Sequence, residues 1–339
     1  MVNVFLRRRA LLAAGGGLAL GLAGCAAVDD APASTAPPAP NDPSRILTPW
    51  LSIAGAWRVE AQPQAPVMGA RPAGGRLNFV QPTGVAARND IALVADAGSR
   101  TLWRLERNRD AMAVFATFGG GVADHGTSIV LGNDYSAWVA LPAEHMVVQY
   151  DPRGRVVRRF LSESDAPRPV AVVVPENRGE VLVGDSATGR VLVFDPLGTL
   201  RARLGGRREG ALQSLTAMAL GPRGLYVLDR AAQLVVVMDR DGRPLEVIGE
   251  NHLVQPRALA VDATGRVFVS DDADQRIKVF RGPQLLASAG GMGGGLGRFG
   301  RIESLSLDGN LLYVADSVNG RVQVMMVAPA SMETGGTPR

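Results

Sequence analysis

Between residues 82 and 326 the apolar positions fall into short runs separated by turn residues, with no 3.6-residue helical period. One kind of run recurs six times and ends in aspartate in five: IALVAD (91–96), SAWVAL (136–141), EVLVGD (180–185), GLYVLD (224–229), RVFVSD (266–271) and LLYVAD (311–316). Their last residues are 45, 44, 44, 42 and 45 positions apart. A turn and a second apolar strand follow each: TLWRLE (101–106), MVVQYD (146–151), RVLVFD (190–195), LVVVMD (234–239), RIKVFR (276–281) and RVQVMM (321–326). A shorter strand precedes each: PTGVAA (82–87), TSIVL (127–131), PVAVVV (169–174), LTAMAL (215–220), PRALAV (256–261) and ESLSL (303–307). Five repeats add a last strand: AVFATFGG (113–120), RVVRRFLS (155–162), TLRARLGG (199–206), PLEVIGE (244–250) and QLLASAGG (284–291).

Four strands in a repeat of about 44 residues predict an all-β fold: a six-bladed β-propeller with four antiparallel strands per blade. The sixth repeat lacks its last strand, because the chain runs into a polar tail (329–339). PWLSIAG (49–55) matches the outer-strand pattern and is expected to supply it, closing the ring and hiding open sheet edges. The stretch 46–80 carries one strand pattern, so no seventh blade is expected. High glycine (41) and proline (22) agree with many short strands joined by tight turns. The repeat resembles the NHL repeat in its Pro82-Thr83-Gly84-Val85-Ala86 opening, its Val314-Ala315-Asp316-Ser317 second strand and its Arg190-Val191-Leu192-Val193-Phe194 third strand. That resemblance covers 46–328, and it implies an NHL-type propeller; the Trp-Asp dipeptide of WD40 blades is absent.

The first 45 residues read as an address. Arg7, Arg8 and Arg9 precede an apolar run from Ala10 to Leu22, about 13 residues and too short for a bilayer that needs roughly 20. The run ends in Leu22-Ala23-Gly24-Cys25, which resembles the bacterial lipobox. The resemblance implies a signal peptide over 1–24 and lipidation of the Cys25 thiol, followed by cleavage and acylation of the freed amine. Arg8-Arg9 also resembles a twin-arginine export signal, and Ala26, where an aspartate would direct inner-membrane retention, favours the periplasmic face of the outer membrane. Residues 25–45 hold the lipidated cysteine and an Ala/Pro-rich tether reaching roughly 60 Å. Cys25 is the sole cysteine, which excludes an intrachain disulfide. Removing the three leader arginines lowers the net charge of +4 to +1, and the scattered basic residues make a poor footprint for nucleic acid.

Asp96, Asp185, Asp229, Asp271 and Asp316 recur at one blade position beside a turn, so a scaffold role is expected, accepting backbone N–H bonds and pairing with Arg100, Arg190, Arg276 or Arg321. Asp271, Asp272 and Asp274 either bind a cation or form a solvated turn. Gly295–Gly300 matches G-x-G-x-x-G but precedes a strand, where a dinucleotide site needs a helix, and is expected to join two blades. The varied positions are those where the innermost strands begin: Gln81, His125, Arg168, Ser214, Gln255 and Arg301, then Thr83, Thr127, Val170, Thr216, Arg257 and Glu303. A polar, mostly neutral or basic ring suits an anionic or glycan-like ligand. The ligand-binding expectation therefore names Gln81, Thr83, His125, Arg168, Ser214, Gln255, Arg257, Arg301 and Glu303.

His125 and His252, three blades apart, with Glu303, are the candidate metal set; His145 lies in a turn away from the axis. NHL propeller lyases hold zinc with channel histidines, and sugar-lactonase propellers hold calcium with Glu and Asn at the channel. That likeness implies Zn²⁺ or Ca²⁺ only if this chain is an enzyme. The leading expectation is a cofactor-free binding or scaffold propeller, membrane-tethered by lipid, holding an envelope protein, peptide or glycan. The alternative is a metal-dependent lyase or lactonase using the channel.

Overall fold

A computed structural model describes residues 46–59, 75–119, 126–161, 168–175, 179–205 and 212–330. Cys25 and the leader and tether around it fall outside the described residues, as does His125. No helix among the described residues is long and apolar enough to cross a membrane.

The chain begins with β1 (Leu47–Ile53), β2 (Gly55–Arg58) and β3 (Arg76–Asn78). Blade 1 then holds β4 (Pro82–Arg88), β5 (Ile91–Asp96), β6 (Thr101–Glu106) and β7 (Ala111–Thr117). Blade 2 holds β8 (Ile129–Leu131), β9 (Ala137–Leu141), β10 (Met146–Tyr150) and β11 (Val156–Leu161). Blade 3 holds β12 (Pro169–Val173), β13 (Val181–Asp185), β14 (Arg190–Phe194) and β15 (Leu200–Leu204). Blade 4 holds β16 (Leu215–Gly221), β17 (Gly224–Asp229), β18 (Leu234–Met238) and β19 (Pro244–Ile248). Blade 5 holds β20 (Pro256–Val261), β21 (Arg266–Asp271), β22 (Arg276–Arg281) and β23 (Gln284–Gly290). Blade 6 holds β24 (Ile302–Asp308), β25 (Leu311–Asp316) and β26 (Arg321–Val327). Its fourth strand is β1, paired antiparallel to β26 from Leu47↔Val327 to Ile53↔Val322, so the N-terminal segment closes the ring as expected.

The second strands are apolar throughout because both of their faces are buried. Along β17, Leu225 and Val227 face blade 3, whereas Tyr226 and Leu228 face blade 5. The same two-residue alternation produces six apolar clusters, one at each blade junction. At roughly 25 cal/mol per Å² of buried apolar surface, these junctions are the main source of cohesion.

The segment 46–80 departs from the single strand expected there. After β1, the chain lays β2 parallel to β7 and folds β3 antiparallel to β2, widening the sheet of blade 1 to six strands. These pieces are four and three residues long and find their partner only across the ring junction, so no local pattern announces them. They cover the outer edge of blade 1.

Candidate functional site

The recurrent aspartates are staples. Asp96 accepts from the N–H groups of Val80, Gln81, Gly98 and Ser99. Asp229 takes the same bonds from Gln213, Ser214, Ala231 and Ala232. Asp271 receives Val254, Gln255 and Ala273, Asp316 receives Gly300 and Arg301, and Asp185 receives Arg168 and Thr188. Each carboxylate thus ties the turn after the second strand to the chain entering the innermost strand, and sets where that strand begins. All five are buried.

Among the described residues, the expected arginine pairing holds only at Arg321, whose Nε lies 3.0 Å from Asp316. In blade 5 the cation is instead Lys278, with Nζ 2.7 Å from Asp271. Burial alone would push the Asp271 carboxyl up, but the hydrogen bonds from Lys278 and three backbone N–H groups outweigh it and hold the pKa below its ordinary value.

The eleven described strand-start positions separate into two tiers. Gln81 and Ser214 are half-buried at the surface, and Arg168, Gln255 and Arg301 are exposed. Two residues further on, Thr83, Thr127, Val170, Thr216, Arg257 and Glu303 are all 8% exposed or less. Four of these inner groups pair with one another. Thr83 Oγ1 and Thr127 Oγ1 are 2.9 Å apart. Arg257 donates from Nε to Asp272 Oδ2 at 2.6 Å and from Nη1 to Glu303 Oε2 at 3.0 Å. Arg301 Nε pairs with Glu303 Oε1 at 3.2 Å, and Arg230 Nη2 reaches Asp272 at 3.5 Å. Burial pushes the Glu303 carboxyl above its ordinary range, an effect that Arg257 and Arg301 only partly offset.

Arg230 and Asp272 are members of this network that the strand-start reading misses. Both directly follow a staple aspartate, and their N–H groups donate to the outer-tier residues Ser214 and Gln255. Ala97, Ser186 and Ser317 occupy the same place against Gln81, Arg168 and Arg301. The position after each V-x-D strand therefore belongs to the mouth, and its variation (Ala, Ser, Arg, Asp, Ser) was the available signal.

Below the mouth, the six innermost strands enclose a cavity of about 300 Å³ lined mainly by small and aliphatic side chains, among them Ala87, Ala217, Ala260, Ser304 and Ser306. Its upper end is tight. Thr127 N–H donates to Thr83 O at 2.8 Å, and a Cβ on Gly126 would lie 1.9 Å from the Glu303 carbonyl oxygen. Blade 2 thus touches blade 6 past the intervening blade 1, a contact only glycine permits. A ligand arriving from the mouth meets the outer tier first; Thr83, Arg257 and Glu303 shape that surface from beneath.

The candidate metal set is not brought together among the described residues. The His252 ring is exposed and packs on Phe280 of β22, with centroids 6.1 Å apart. His145 ends a short 3₁₀ turn with φ 53°. No group of three His, Cys, Asp or Glu among the described residues could hold a metal ion. Asp271 and Asp274 both pair with Lys278, and Asp272 pairs with Arg257, so the protein's own cations already occupy these carboxylates. Asp272 Oδ1 is buried and finds no hydrogen-bond donor among the described residues.

No protein-family model matches the chain. No curated protein matches it either. Solved structures do. A protein of unknown function from Bacteroides thetaiotaomicron is 14% identical, over 74% of this chain and 70% of that one, with TM-score 0.56. Virginiamycin B lyase from Staphylococcus aureus is 10% identical, over 73% of this chain and 95% of that one, with TM-score 0.52. A streptogramin B lyase structure is 9% identical, over 74% and 94%, with TM-score 0.52. Likeness at these identities establishes the propeller fold and nothing finer.

Proposed function

We propose that this chain is an NHL-type propeller lipoprotein, anchored through Cys25 to the periplasmic face of the outer membrane, that binds the anionic group of a protein, peptide or glycan at its channel mouth. One observation carries the reading. The buried carboxylates of Glu303 and Asp272 are committed to Arg257, and together these three hold Arg301 and Arg230 at the rim. Both oxygens of Glu303 are engaged by guanidinium groups. A general base must instead reach a substrate proton, so this arrangement suits positioning better than catalysis. The partly exposed Arg301 offers a planar donor set to a carboxylate or phosphate.

The test is a thermal-shift series pairing N-acetyl dipeptides and hexuronic acids with their uncharged amides. Carboxylates are expected to raise the melting temperature, the amides are not, and Arg301→Ala should abolish the difference. Equal response to acid and amide would refute the mouth as an anion site. Anchoring is checked separately, by incorporation of labelled palmitate that is lost in Cys25→Ala.

A second reading, a channel-based lyase or lactonase, draws on the raised Glu303 pKa and on the shared fold of the streptogramin and virginiamycin B lyases. It predicts turnover of virginiamycin B or of a simple lactone, and loss of that turnover in Glu303→Gln. Turnover by the wild-type chain would replace the binding reading.

A further inference from the structure

The glycine-rich crossing from β23 to β24, residues 291–301, is longer than a blade junction requires: the corresponding β19-to-β20 crossing uses 249–255. Six of its residues are glycine, and Gly291, Gly293 and Gly297 have φ of 120°, 149° and 74°, a backbone that L side chains rarely adopt. Such a segment loses more entropy on ordering than any other, so it stays ordered only if it is fastened. It is fastened heavily. Arg321 donates to the carbonyls of Gly294, Gly295 and Arg298 at 2.6, 3.0 and 2.7 Å. Gln323 accepts from Gly297 N–H and donates to Arg298 O, and Asn319 donates to Gly293 O. Phe299 is fully buried beneath.

The backbone is therefore held as firmly as a blade, yet its two large aliphatic side chains point away from any core. Met292 is 77% exposed and Leu296 is 52% exposed. Val318, 70% exposed, lies against Gly300 of the same crossing. Arg298 and Arg301 stand exposed at its end. Ordering a loop to leave its apolar groups in water makes sense as presentation, with the flexible Met292 suited to partners of varied shape.

We infer that this crossing is a docking platform on blade 6 for an acidic, aliphatic-rich segment of a partner polypeptide. Met292, Leu296 and Val318 take its apolar side chains, and Arg298 and Arg301 take its carboxylates. The charge complementarity favours such a segment over a neutral or basic one. The inference rests on the binding-protein reading and shares Arg301 with the mouth, where Glu303 pairs with its Nε.

The experiment measures fluorescence anisotropy of a short labelled peptide interleaving leucine and glutamate, titrated with the full-length chain in mild detergent. Two counterparts carry serine for each leucine or glutamine for each glutamate. The interleaved peptide should bind, and both counterparts should bind at least about tenfold more weakly. The double substitution Met292→Ser, Leu296→Ser should weaken binding by about the same factor with the melting temperature unchanged, and Leu296→Ala alone should weaken it by a smaller factor. The same double substitution should leave the carboxylate thermal shift at the mouth unchanged, which separates failure here from failure of the mouth reading. Binding indifferent to the double substitution, equal binding of the serine peptide, or sedimentation showing that the chain dimerises through this loop would each overturn the assignment.

Discussion

Blade 6 and blade 2 follow the same four-strand plan but hold their innermost strands by different means. In blade 6, Asp316 binds the two N–H groups that open β24 and is itself held by Arg321 and Asn319, and β24 runs seven residues. In blade 2 the staple position is Leu141, packed into the apolar junction with blade 1, and β8 runs three residues. Its opening leans on neighbours instead: Thr127 bonds Thr83 of blade 1 through both backbone and hydroxyl, and Ser128 Oγ accepts from Val172 N–H of blade 3. One blade is pinned from within, the other by the ring. The internal staple supports a long innermost strand and frees the chain before it to carry the glycine platform. The borrowed support fixes Gly126 against Glu303 and tightens the mouth.

Four changes would break or sharpen that contrast. Asp316→Ala leaves Arg321 buried without its carboxylate and frees two backbone donors; about 3–5 kcal/mol should be lost in urea unfolding. Asp185, a staple that engages no cation among the described residues, should cost less as alanine, about 1–3 kcal/mol in the same assay. Were the two losses equal, the cation would add nothing to the staple. Gly126→Ala drives a methyl group into the Glu303 carbonyl and should cost about 1–3 kcal/mol. It should also alter the carboxylate thermal shift, which a purely local effect within blade 2 would leave untouched. Thr83→Val strands the Thr127 hydroxyl and should cost about 1 kcal/mol by thermal melting.

A further distinction lies in pH. The folded Glu303 pKa is raised, so the folded chain holds that proton at pH values where the unfolded chain has released it. Its contribution is favourable below the unfolded value near 4.5 and is lost as pH rises through the folded value. Glu303→Gln should therefore gain stability relative to wild type as pH increases across that window, measured by unfolding at a series of pH values. Asp271 acts in the opposite sense. Its folded pKa is lowered, so its contribution is present above the unfolded value near 3.8 and disappears as pH falls through the folded one.

The chain's own pattern determined the propeller. Six apolar runs at nearly constant spacing, each buried on both faces, admit a ring of radial sheets, and a sixth repeat short of one strand requires PWLSIAG (49–55) to complete it. The staple role of the aspartates was legible for the same reason, since a residue present in nearly every repeat serves the repeat. The mouth was legible only as a list of varied positions. Whether Thr83 or Arg301 meets solvent depends on a two-residue step down a strand whose start is set by hydrogen bonds from 15 to 17 residues away. Tertiary packing alone brought Arg257, Asp272 and Glu303 together from two blades, set His252 on Phe280, and placed Gly126 against Glu303. Repetition along a chain records what every blade needs. Among the contacts that make the blades unequal, Arg257 reaches Asp272 across 15 positions and Glu303 across 46, and only the folded ring sets their distances.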